Sequence, residues 1–230
     1  MTMPNKISIL TEEQRGQHSH FPAGIGCAYW GEYTSYEHTG GKLADFSPTN
    51  RLVSNLKKKM DRRDKPDFRY KNQAIIQCAG ALIRFVDWDR VKENRIAFIP
   101  IPPSRSRGDV NYDPRMVDVL NLTKKSRPVL DIRDCLSFDG RHVASHEANA
   151  RPTIDELYEA LKFDGEAGRV SNMPGEIVLF DDMLTTGAHF VAASRKLSEK
   201  FPNIPITAFF IARRILPDPS DVFGPVSDDL

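Results

Sequence analysis

The stretch EIVLFDDMLTTGAHF, residues 176 to 190, sets two adjacent carboxylates, Asp181 and Asp182, directly after an apolar run, and follows them with Thr185, Thr186 and Gly187. Two hydroxyls, a glycine without a Cβ and the unpaired N–H groups of a helix start form a cradle for phosphate. The carboxylates repel an anion; they want hydroxyl donors or a cation a few ångströms away. A sugar phosphate with a free diol meets both demands. Taken singly, Asp181 reads as the start of a turn and the threonines as caps of the next helix. A strand ending in two acids also occurs in nucleotide hydrolases, but these need a glycine-rich loop, and the pair Gly41-Lys42 is followed by Leu43 and lacks the upstream glycine.

The elements around the stretch must bring these groups together. From residue 96 onward short apolar runs alternate with helical patterns, which predicts strands near 96–101, 128–132, 176–181 and 205–212. Strands separated by helices make a doubly wound, mostly parallel α/β sheet, whose ligands bind beyond the carboxyl ends of the strands, where Asp181 and Asp182 fall. Residues 1–95 read as a smaller N-terminal hood or accessory section. Its segment 24–43 is rich in aromatics and glycine and suits short strands or turns, and two helical patterns follow, in NRLVSNLKKKM and NQAIIQCAGALIRFVDWD. Residues 96–216 form the core, and the Pro-rich acidic segment 217–230 is a tail.

Bulk composition leaves the function to local chemistry. The 230 residues are 40% hydrophobic and 27% charged, the balance of a globular chain, and 32 basic against 31 acidic side chains give no overall field for a polyanion. One local exception is KKKMDRRDKPDFRYK, residues 57 to 71, with eight basic and three acidic side chains. Lys57, Lys58, Lys59, Arg62 and Arg63, with Phe68 and Tyr70 interleaved, are candidates for contact with DNA; a solvated face is the alternative. Cys27, Cys78 and Cys135 are odd in number and far apart, so buried reduced thiols are expected. No secretory signal and no membrane span can be read, and a cytoplasmic protein is expected.

The stretch IVLFDDMLTTGA closely resembles the ribose-phosphate motif of type I phosphoribosyltransferases, which bind 5-phosphoribosyl 1-diphosphate (PRPP) with magnesium. The resemblance implies that Asp181 and Asp182 hold the ribose 2′ and 3′ hydroxyls. It implies too that the loop of Met183, Leu184, Thr185, Thr186, Gly187 and Ala188 wraps the 5′-phosphate, with His189 where many members have Thr or Ser. Family members bind the diphosphate in the loop after the first core strand, which here is Ser104, Arg105, Ser106, Arg107 and Gly108, rich in hydroxyls and guanidiniums. They close a flexible loop over PRPP, which here is the segment carrying Arg141, His142 and Arg151. Over residues 96 to 214 the chain is most similar to ComF-type phosphoribosyltransferase-like proteins, without their four-cysteine zinc module. The activity so implied is transfer of the 5-phosphoribosyl group to a nitrogen acceptor such as a nucleobase, with release of diphosphate, magnesium being held through PRPP, Asp181 and Asp182. A non-catalytic PRPP or nucleotide sensor, or a DNA-associated protein on the same fold, is the alternative. The oligomeric state is open, with a homodimer one of its forms, and no membrane partner is expected.

Overall fold

A computed structural model describes residues 3–140 and 152–216. In chain order its elements are β1 (Ser8–Ile9), α1 (Glu12–Arg15), β2 (Cys27–Thr34), α2 (Leu43–Phe46), α3 (Pro48–Leu56), α4 (Arg69–Phe85), α5 (Trp88–Glu93), β3 (Ile96–Pro100), α6 (Arg115–Ser126), β4 (Asp131–Ile132), β5 (Leu136–Phe138), α7 (Ile154–Ala160), β6 (Leu161–Phe163), α8 (Gly165–Gly168), β7 (Glu176–Leu184), α9 (Ala188–Lys200) and β8 (Ile206–Ile215). Six strands form one sheet in the order β1-β2-β8-β7-β3-β4, and β5 and β6 form a separate antiparallel pair. All pairings in the large sheet are parallel except that of β1 with β2.

The sheet is apolar on both faces because both are covered. Along β7, Ile177 and Leu179 pack with Phe190, Ala193 and Leu197 of α9. The alternate residues Val178 and Phe180 pack with Leu56 of α3, Cys78 and Leu82 of α4, and Leu120 of α6. This period-2 division explains why the strand reads as a continuous apolar run, since a strand covered on one face alone would alternate apolar with polar. Each fully buried aliphatic or aromatic side chain here contributes about 1.5–3 kcal/mol by leaving water.

Three expectations are corrected in detail. β7 runs to Leu184 and β8 to Ile215, past the limits read from the apolar runs, because the pairing continues through Asp181↔Phe210, Met183↔Ala212 and Leu184↔Arg213. The helical pattern that begins at Asn72 is broken at Val86, whose extended backbone ends α4, and Asp87 caps α5 by accepting from the N–H of Arg90 at 3.0 Å. Residues 1–95 do not stand apart as a hood: β2 lies parallel beside β8 in the core sheet, and α3 and α4 form part of one covering layer. Among the described residues no helix is long and apolar enough to cross a membrane.

Candidate functional site

Asp181 and Asp182 sit near the carboxyl end of β7, and strand alternation sends neighbouring side chains to opposite faces. Asp182 therefore shares the face of Val178 and Phe180 and meets the layer of α3 and α6. Its Oδ1 pairs with Lys57 Nζ at 2.9 Å, and its Oδ2 accepts from Arg115 Nε at 2.7 Å and Nη2 at 2.6 Å. Burial would raise the pKa of Asp182, but Arg115 and then Lys57 outweigh it and hold the carboxyl down at about 2. Asp181 makes no ion pair among the described residues; its Oδ1 accepts from the N–H of Asp182 at 2.7 Å. Burial first, and the charge of Asp182 second, push its carboxyl up to about 7. Two like charges are thus tolerated side by side because one is paired with two cations and the other takes a proton near neutrality.

Behind Asp182 the pairing continues into the core. Arg115 Nη1 also donates to Asp113 Oδ2 at 2.5 Å, and that same oxygen receives Lys71 Nζ at 2.8 Å. Lys71, only 2% exposed, donates in addition to the carbonyls of Leu56 at 2.5 Å and Lys58 at 3.2 Å. These two carbonyls flank Lys57, so the buried amine holds the end of α3 where Lys57 reaches Asp182. Burial lowers the pKa of Lys71, and the contact with Asp113 opposes the shift. For Arg115 burial is unfavourable, yet Asp182 and Asp113 together raise its pKa. The chain Lys57, Asp182, Arg115, Asp113, Lys71 escaped the sequence reading because, Asp113 and Arg115 apart, its linked members lie 42 to 125 residues from one another and leave no local spacing.

Beyond β7 the backbone turns through Thr185, Thr186 and Gly187 into α9. Gly187, at φ 91° and ψ −1°, is the N-cap residue in left-handed geometry, and Thr186 Oγ1 accepts from the N–H of Ala188 at 3.4 Å. A Cβ at Gly187 would lie 2.9 Å from the backbone nitrogen of Phe21, so only glycine fits. Among the described residues no acceptor takes the N–H of Thr185, Thr186 or Gly187. Leu184 is buried in the core, where it acts as an anchor, while Met183, Thr185 and His189 line an open cavity of about 510 Å³. His189 also packs edge-on against Phe138 of β5, ring centroids 6.0 Å apart.

The cavity joins part of the expected set; Ser106, Thr186, Gly187 and Ala188 are not in its lining. Asp181 and Asp182 line it, with Ser104 and Arg105 from the loop after β3 and Lys57 and Lys59 from the connection after α3. Arg105 is held to Asp109 Oδ2 at 2.7 Å, and Ser106 sits beside Gly140. Arg107 lies outside the lining: it is fastened to Asp134 Oδ1 at 2.8 Å and to the backbone carbonyls of Asp134 and Leu136. Arg141, His142 and Arg151 lie outside the described residues. The basic run is largely committed: Lys57 and Lys59 face the cavity, Lys58 and Arg62 pair with Asp67 at 3.5 and 3.0 Å, and Arg63 donates to the carbonyl of Val110 at 2.7 Å. Of the aromatics in the N-terminal section, Tyr29 and Trp30 are core and Tyr36 is exposed.

Among the described residues no group of three or more His, Cys, Asp or Glu side chains is placed to hold a metal. Asp181, like Asp61 in the same lining, makes no ion pair among the described residues, so it can offer a coordination position to an ion that brings its other ligands with it. No protein-family model matches the chain, and comparison with curated proteins returns no match.

Proposed function

We propose that this cavity binds PRPP with magnesium on a type I phosphoribosyltransferase fold, and that the chain transfers the 5-phosphoribosyl group to a nitrogen acceptor such as a nucleobase. The observation that carries the reading is the juxtaposition of Thr185, the acids Asp181 and Asp182, and the Ser104–Arg105 loop in one cavity, at the start of a turn whose N–H groups have no acceptor among the described residues. The 5′-phosphate rests on the turn at the start of α9, the ribose diol on the carboxylates, and the diphosphate toward Ser104 and Arg105. In transfer the bond from C1 to the diphosphate oxygen breaks with its electron pair leaving on diphosphate, a bond from C1 to the acceptor nitrogen forms, and the acceptor loses a proton. Arg105 supports the leaving charge, and Asp181 and Asp182 face the positive charge that develops on the ribose. Magnesium would neutralise part of the diphosphate charge, taking its ligands from phosphate and ribose oxygens, water and Asp181.

One observation favours the alternative of a non-catalytic PRPP sensor: Asp182 already carries two cations, so the ribose must share it with Lys57 and Arg115. Calorimetric titration with PRPP and magnesium should show saturable binding weakened by Thr186→Ala; an absence of heat and of any competition by ribose 5-phosphate rejects the ligand. Diphosphate release over a panel of bases then separates enzyme from sensor, and silence across the panel with binding intact favours the sensor.

A further inference from the structure

The turn that enters α9 from Thr185, at the edge of the cavity, is held by a segment far away in sequence. His18 is 1% exposed, and its Nδ1 lies 2.5 Å from the backbone carbonyl oxygen of Thr185. The N–H of His20 donates to the carbonyl of Thr186 at 2.8 Å, and Phe21 abuts Gly187. The peptide bonds here are trans, so the carbonyl of each unit and the N–H of the next residue point in opposite directions. Holding the Thr185 carbonyl rearward therefore turns the N–H of Thr186 forward, and holding the Thr186 carbonyl does the same for the N–H of Gly187. We infer that His18 is a positioning residue for anion binding, whose ring Nδ1–H fixes the peptide that presents the Thr186 N–H to a phosphate group. This assignment rests on the reading of the cavity as a phosphate site.

The chemistry of the ring agrees. A carbonyl oxygen only accepts, so Nδ1 must carry the proton, and neutral His18 is the tautomer with Nε2 bare. Nε2 is buried with no partner, as is Nε of Arg213. Burial lowers the pKa of His18, and the cations of Arg213, Arg214 and Arg15 lower it further against the favourable contact with Thr185. Near neutral pH the ring is an uncharged clamp. His20 differs: it contributes through its backbone, and its side chain is exposed.

The test compares His18→Leu, which removes the donor, His18→Asn, whose amide N–H can stand near Nδ1–H, and His20→Ala as control. In the native protein, ring nitrogen NMR should show the Nδ1–H form of His18; the Nε2–H form overturns the inference with or without ligand. Titration with PRPP and magnesium should show affinity reduced tenfold or more in His18→Leu and within about threefold of native in His18→Asn and His20→Ala. Native affinity in a folded His18→Leu variant overturns the positioning role. Should the native protein bind no PRPP, the phosphoribosyl reading falls, and inorganic phosphate decides the inference alone. Phosphate-induced shifts of the Thr186 and Gly187 amides that vanish in His18→Leu and persist in His18→Asn support it. Native amides that ignore phosphate reject it.

Discussion

Asp181→Asn should change how stability depends on pH. Burial, with the charge of Asp182, raises the Asp181 pKa from 3.8 to about 7, so the folded state holds this proton more tightly than the unfolded state does. A raised carboxyl pKa gives stability that is full below the unfolded value and declines as pH climbs to the folded value. About three pH units at ~1.4 kcal/mol each make roughly 4 kcal/mol between pH ~4 and ~7, of which about 3 kcal/mol is lost between pH 5 and 8. Asp182 acts with the opposite sign: held down at about 2, it contributes stability above pH ~4 that is lost as the solution is acidified toward its folded value. It is therefore constant over the pH 5 to 8 window. Urea unfolding at both pH values, on native protein and Asp181→Asn, isolates the Asp181 part because other titrations cancel in the difference. The native protein should lose more stability from pH 5 to 8 than the variant, and the variant should be the more stable at pH 8. An equal loss in both would refute the reasoning.

Other expectations follow from the same geometry. Arg115→Leu strands Asp113 and Asp182 without their shared guanidinium and should cost about 3–5 kcal/mol in urea unfolding, as for other broken buried pairs. Gly187→Ala places a Cβ against the Phe21 backbone at a positive φ and should cost at least about 1–3 kcal/mol, together with most of the affinity for PRPP in calorimetry. Arg62→Ala removes an exposed contact to Asp67 and should change stability by under about 1 kcal/mol in the same unfolding assay. The three cysteines are buried, and burial pushes the thiols of Cys27 and Cys135 up to about 12, so a thiol reagent should label none in the folded protein and all three in urea.

How far the sequence could be read followed the range of the interactions. Apolar runs located β3, β7 and β8, because a strand covered on both faces announces itself within five or six residues. The same rule stopped β7 too early: Asp181 and Asp182 interrupt hydrophobicity but not hydrogen bonding, and the ladder to β8 continues beneath them. The aromatic and glycine-rich segment 24–43 was legible as short strands or turns, whereas the long β2 within it and its parallel pairing with β8, some 180 residues later, are carried by no local pattern. The acids and the Thr-Thr-Gly turn were legible as a site because they are contiguous. Lys57 was visible only as one charge in a basic run, and Arg115 and His18 carried no signal as site residues. Each acquires its role from a partner that folding alone brings near.

The central claim is tested most directly by the crystal structure of the protein with PRPP and magnesium. Density for the 5′-phosphate within hydrogen-bond reach of the Thr186 and Gly187 N–H groups, with ribose hydroxyls on Asp181 or Asp182, is the expected result. Ligand bound elsewhere, with the turn before α9 bare, would contradict the account.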